Sequence, residues 1–134
     1  SHALIWASTG SSQMKYIPSK FPTKGNVLIA FSMMLTRYDS GHCGMQFNIN
    51  TDNNHKVHIN VEDHEVSGVF VPEVGLLQYD VTGGQNTPVT EIYCGSWAGG
   101  NSDGYIDDVV VAIVPDAMTL ETATTLYNNY ISMI

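Results

Sequence analysis

The chain has 134 residues, 43% hydrophobic and 13% charged, with a formal net charge of −8. That length suits one domain with its own core, so residues 1–134 read as a single domain, and the composition excludes a disordered chain. All five basic residues (Lys15, Lys20, Lys24, Arg37 and Lys56) lie in the first 56 positions, while the remainder holds eleven Asp or Glu; such a field argues against nucleic acid and anionic lipid surfaces as partners. No apolar run reaches the length needed to insert across a bilayer.

Ser1-His2 resembles the remnant of a cleaved tag and sets no limit on export. Cys43 and Cys94 lack zinc-like spacing, which leaves one disulfide or two packed thiols.

In chain order, residues 3–9 read as a first strand and Gln13 to Ile17 as a second, followed by a loop framed by Pro18 and Pro22. Asn26 to Tyr38 is long and apolar on both faces, the pattern of an interior strand. Asp39 to Gly44 reads as a turn. Met45 to Asn50 and His55 to Glu62 then alternate strictly about the turn at residues 51–54, which predicts a hairpin. Its outward residues Gln46, Asn48, Asn50, His58, Asn60 and Glu62 form a row of hydrogen-bonding groups. Residues 66–71 and 75–81 read as two strands separated by Pro72-Glu73-Val74, and residues 82–88 as a loop. Val89 to Cys94 is a further strand, Gly95 to Asp103 a glycine-rich loop holding Trp97, and Gly104 to Val114 a strongly β-prone, largely buried strand. Beyond Pro115 the spacing of Leu120, Ala123, Tyr127, Tyr130 or Ile131, and Ile134 is helical, with Thr119 as N-cap. About nine strands and one late helix predict an all-β fold, an antiparallel two-sheet sandwich closed by a short C-terminal helix.

Gly104-Tyr105-Ile106-Asp107-Asp108-Val109-Val110-Val111, followed by residues 117–128 with Leu120, Glu121 and Leu126-Tyr127, resembles the ending of laminin G-like domains of the concanavalin A-like lectin/glucanase group. Glu91 to Gly95 is similar to the strand that precedes it there. The resemblance covers about a third of the chain and implies a jelly-roll sandwich, with binding of glycan or protein as the expected function.

The acidic residues do not form a glycosidase pattern. Glu62-Asp63-His64-Glu65 falls where a strand ends, and strict alternation sends Asp107 and Asp108 to opposite faces. With no nucleophile elbow, phosphate loop or His-Glu-x-x-His, the expectation is a non-catalytic protein. Asn101, Asp103, Asp107 and Asp108 supply hard oxygen ligands beside a glycine-rich loop, a set suited to a structural calcium ion; the alternative is that Asp107 accepts backbone N–H bonds from the 95–103 loop and the others are solvated. His58-Ile59-Asn60 is similar to the start of a galectin sugar site, with Glu62 where that pattern has Arg. Sugar binding also needs a ring to stack on a pyranose; Trp97 is the leading candidate, with Tyr105, Tyr93 and Tyr79 behind it, and burial of Trp97 is the competing reading. The expected function is a carbohydrate-binding module of a secreted or phage or viral surface protein, at an extracellular or virion-surface location. The alternative is a structural virion domain, of capsid-decoration or fibre type, acting by protein–protein contact and open to homo-oligomer formation.

Overall fold

Two long strands carry the architecture of the computed structural model, which describes residues 4–8, 12–16, 22–49, 56–61, 66, 68–82 and 90–134. In chain order the elements are β1 (Leu4–Ser8), β2 (Ser12–Tyr16), β3 (Lys24–Ile49), β4 (Lys56–Asn60), β5 (Val71–Asp80), β6 (Thr90–Val114) and α1 (Leu120–Ser132). The domain is all-β apart from that single C-terminal helix, and its strands form one sheet. β3 and β6 lie antiparallel at its centre, in register from Asn26 opposite Val114 to Ile49 opposite Thr90. β5 and β4 pair in turn with the first and last parts of β3, while β2 and β1 pair in turn with the first and middle parts of β6.

Alternation along β3 explains how one sheet encloses a core. Val27, Ile29, Phe31, Met33 and Leu35 point inward from its first half, and Cys43, Met45, Phe47 and Ile49 from its second. These side chains share one cluster with Ile59 and Val61 near β4, Tyr79 and Val81 near β5, and Ile92 and Ile106 of β6. The sheet bends far enough that Gly75 of β5 lies against Ile59 and Val57 of β4; a Cβ on Gly75 would stand 3.0 Å from Ile59 Cδ1. The other face of the first half is also apolar, as the two-sided pattern predicted. There Leu28 and Ala30 pack against Ala123 and Tyr127 of α1.

The predicted turn at residues 39–44 and loop at residues 95–103 are both strand. The glycines that signalled chain reversal instead supply irregularities within a continuous ladder, with register shifts between Leu35 and Arg37, Tyr38 and Ser40, and Ser40 and His42. Gly41 has φ 80, and a Cβ there would lie 2.4 Å from Gly100 Cα; Gly44 has φ 134, and its Cβ would meet Ile59 O at 2.1 Å. Only glycine fits such close backbone approaches. Pro72-Glu73-Val74, expected to separate two strands, lies inside β5, where Pro72 pairs with Ser32. A proline is tolerated on a strand whose other edge is unpaired among the described residues.

A second correction concerns Asp107 and Asp108. Ser32 pairs with Asp107 and Ala30 with Val110, so β6 holds one residue more than β3 over this interval. Asp108, at φ 52, occupies the bulge. The bulge cancels the alternation that was expected to separate the two aspartates, and both line one pocket of about 440 Å³ with Ser32, Asn128 and Ser132.

Helix α1 begins as the sequence indicated. Thr119 Oγ1 accepts the Thr122 N–H at 3.2 Å, and Glu121 stands in the first turn. Its buried stripe is narrower than expected, limited to Ala123 and Tyr127, with Leu120, Tyr130 and Ile134 exposed. Tyr127 fixes the helix through its hydroxyl, which donates to Asp108 O at 2.9 Å and therefore accepts from Ser32 Oγ at 3.0 Å. Asn26 Nδ2, donating to Pro115 O at 3.1 Å, holds the connection between β6 and α1.

Two predictions follow from these buried hydroxyls. Tyr127→Phe leaves Ser32 Oγ and Asp108 O without this partner and is expected to cost about 1–3 kcal/mol in urea unfolding. Tyr79 donates to Pro22 O at 2.7 Å, and burial pushes its phenol up to about 12. Its folded value exceeds the unfolded one of about 10, so the stability it contributes is complete below pH ~10 and is lost as pH rises towards 12. Phenolate absorbance and unfolding free energy, measured across that interval, are expected to change together.

Candidate ligand-binding face

The outward residues of β4, the second half of β3 and the first half of β6 line up in cross-strand rows. One row runs Asn60, Gly44, Gly95; the next His58, Gln46, Tyr93; the third Asn48, Glu91. Directly opposed residues share a face in an antiparallel sheet, so these positions form one polar surface opposite the core. The hairpin predicted from alternation is the β3–β4 pair, with Gln46 opposite His58.

Within the face, side chains bond along their own strands. Gln46 Nε2 donates to Asn48 Oδ1 at 3.1 Å, and the Tyr93 hydroxyl donates to Glu91 Oε2. Asn48 and Glu91 are buried, Gln46 and Tyr93 half-buried, and His58 and Asn60 exposed. The face therefore grades from an enclosed polar floor at Asn48 and Glu91 to open hydrogen-bonding groups at His58 and Asn60. Glu62, expected to extend this row, lies outside the described residues.

Trp97 closes one end. It pairs with His42 on β3, and its ring centroid lies 6.4 Å from that of His42 and 5.9 Å from that of His58. β4 is separated from β6 by the whole of β3, so the indole reaches across β3 at Gly44, where no side chain stands in its way. At 9% exposure Trp97 is a buried organiser of the two imidazoles, and the competing reading of burial is the one realised.

Tyr105 lies elsewhere. It is opposite Met34 and Ile5, some ten residues from Gly44 along β3, or about 30 Å of extended chain. The tyrosine that belongs to the polar face is Tyr93, opposite Gln46 and one of the rings the sequence offered behind Trp97, whereas Tyr79 is buried in the core.

Nor does the structure collect the predicted oxygen ligands around one point. Asn101 and Asp103 turn towards Arg37: Nε and Nη2 donate to the two Asp103 oxygens at 3.0 and 2.9 Å, and Nη1 donates to Asn101 Oδ1 at 2.5 Å and to Asp39. The hydrogen bonds to Asp103 hold the guanidinium proton well above the ordinary arginine range. Asp107 sits apart in the bulge pocket, its Oδ1 accepting the Asp108 N–H at 2.8 Å. That bond is a backbone N–H interaction, but its donor is the neighbouring residue and not the 95–103 stretch expected to supply it. A cation bound at Asn101 and Asp103 would have to compete with Arg37, and among the described residues no group of three or more His, Cys, Asp or Glu is arranged to hold a metal ion. Arg37 was legible only as the chain's single arginine; apart from Asp39 on its own strand, the partners Asn101 and Asp103 come from β6.

Both cysteines are free thiols. Cys43 pairs with Ser96 and Cys94 with Met45, and burial pushes the Cys94 thiol up to about 11. Among the described residues no helix is long and apolar enough to cross a membrane. A scan against models of protein families and a search of curated proteins return no match to this chain.

The Arg37 cluster joins β3 to β6 at the irregular part of their ladder, and its charges are partly open to water. Asp103→Asn is expected to lower the thermal midpoint at low ionic strength, with the difference from the parent shrinking in ~1 M salt, where screening reaches about 3 Å. An equal midpoint at low salt contradicts a structural role for the pair.

Proposed function

We propose that the chain is a non-catalytic module that binds carbohydrate on the β4–β3–β6 face, carried on a laminin G-like jelly roll of an extracellular or virion-surface protein. The observation that supports this most is the cross-strand row His58, Gln46, Tyr93, flanked by Asn60 and Asn48. Amide, imidazole and phenol groups at strand spacing match the alternating hydroxyls of a saccharide, and the Tyr93 and His58 rings offer partly open apolar surface for a pyranose. Trp97 supports the face from one end instead of stacking on the ligand. The ligand is held by direct hydrogen bonds, and no ion is needed at the face. Asn48, buried and already accepting from Gln46, positions that amide. Glycan or protein partners other than nucleic acid fit the net charge of −8.

A second reading, a structural domain working through protein–protein contact, draws on a different observation: the apolar edge of β6, where Val109 and Ile113 are about half exposed.

A glycan array probed with the labelled chain is the direct test. The expected result is a defined set of bound saccharides, with affinity for them reduced at least ~10-fold, about 1.4 kcal/mol, in His58→Ala and in Asn60→Ala at unchanged thermal midpoint. Trp97→Ala is expected to lower the midpoint as well. Absence of glycan binding, or binding indifferent to His58 and Asn60, removes the carbohydrate reading.

A further inference from the structure

Sheet edges expose unpaired N–H and C=O groups, and proteins that do not use them protect them with short strands, charges or proline. Four of the edges here are protected in that way. β1, β2 and β4 have five residues each, β4 carries Lys56, and β5 carries Pro72 and Glu73. The last part of β6 differs. β1 pairs with it only as far as Ile106, so beyond that point the edge away from β3 has no strand partner among the described residues. Residues 109–114 read Val-Val-Val-Ala-Ile-Val, without charge, proline or glycine. Val109 and Ile113 are 48% and 47% exposed.

The surface beside this edge is apolar too. Helix α1 lies closest to β5, leaving a groove of about 320 Å³ on the β6 side, lined by Val110, Val114, Leu126 and Tyr130 among others. Leu126 and Tyr130 are 50% and 43% exposed. Edge and groove adjoin through Val110 and Val114.

We propose that this edge pairs with the same edge of a second copy of the chain, antiparallel about a two-fold axis at Val111, so that the sheet continues from one protomer into the next. Pairing must put residues of one face opposite residues of the same face, which limits the axis to a residue position instead of a point between two. Centring on Val111 sets Val109 opposite Ile113, Val111 opposite itself and Val110 opposite Ala112, an apolar row on each face. Charge disfavours the neighbouring register centred on Ala112. Centring on Ala112 would set Asp108 of one copy against Asp116 of the other, and directly opposed like charges are destabilising. With Val111 on the axis Asp108 meets Val114. A surface free of charge is also where two copies of a chain with net charge −8 approach with least repulsion. The α1 flanks carrying Leu126 and Tyr130 then approach across the axis, over the groove, adding buried area to the strand pairing, as a stable interface requires. The inference stands apart from the carbohydrate reading, whose face lies on the other half of the sheet.

Sedimentation velocity on the intact chain from ~1 to ~200 µM tests it, with amide exchange followed over the same range. A dimer is expected, with exchange across residues 109–114 slowing as concentration rises. Val109→Lys and Ile113→Lys each weaken the dimer at least ~10-fold while retaining the thermal midpoint, and Val69→Lys, a substitution at another exposed apolar position, leaves it intact. A monomer throughout the range, or a dimer insensitive to both edge substitutions, overturns the proposal. If either lysine variant fails to fold, exchange in the parent decides: protection of 109–114 that is independent of concentration counts against the edge. Monomeric variants that still bind glycan, or dimers that bind none, separate this inference from the proposed function.

Discussion

Everything in this molecule depends on the antiparallel pairing of β3 with β6. The two strands stay in register, with a few irregularities, from Asn26 and Val114 at one end to Ile49 and Thr90 at the other. Among the described residues no other strand is long enough to reach both halves of the sheet. Because β3 and β6 pass without interruption through the bend, the inward residues Phe31 and Met33 from one half and Met45 and Phe47 from the other meet in a single core. The smaller strands then have fixed places: β5 and β4 on the β3 side, β1 and β2 on the β6 side. The polar face is a consequence of the same register, since Gln46 meets Tyr93 on one side and His58 on the other only while the ladder holds.

A long ladder that must bend needs residues able to leave ordinary strand geometry without ending the strand. Gly41, Gly44, Gly95 and Gly99 supply positive φ on both partners near the bend. Arg37 supplements them by tying Asp39 on its own strand to Asn101 and Asp103 on the other. At the opposite end the bulge at Asp108 does a different job. It turns Asp108 out of the ladder, and its carbonyl accepts from Tyr127, the residue that anchors α1. One bulge thus links the irregular backbone of β6 to the helix that covers the outer face of the first half.

Much of this was legible in the residues. Strict alternation over Met45–Asn50 and His55–Glu62 gave the β3–β4 pair and its inward set, and the two-sided apolar run from Asn26 gave an interior strand. The switch to helical spacing with Thr119 ahead of it gave α1 and its cap. What could not be read was continuity. Glycine and aspartate clusters at residues 39–44 and 95–103 have the composition of turns, and nothing local separates a turn from a bulged strand whose partner lies more than fifty residues away. That single ambiguity carried over to the site. Reading residues 95–103 as a loop made Trp97 a candidate for an exposed platform and set Asn101, Asp103 and Asp107 around a supposed cation. As strand, the same stretch buries Trp97 beside His42 and His58 and turns Asn101 and Asp103 to Arg37. Gln46, His58 and Asn60 stand on the β3–β4 pair where alternation placed them.

The measurement that tests this most directly is a set of cross-strand nuclear Overhauser effects, with amide exchange, on the isotopically labelled chain. Continuous pairing predicts contacts linking His42 to Trp97, Gly44 to Gly95 and Gln46 to Tyr93, together with protected amides on both sides of the glycines at 41 and 99. Rapid exchange throughout residues 39–44 and 95–103, with none of those contacts, would mean that the chain reverses there after all, and the polar face built on the β3–β6 register would be lost with it.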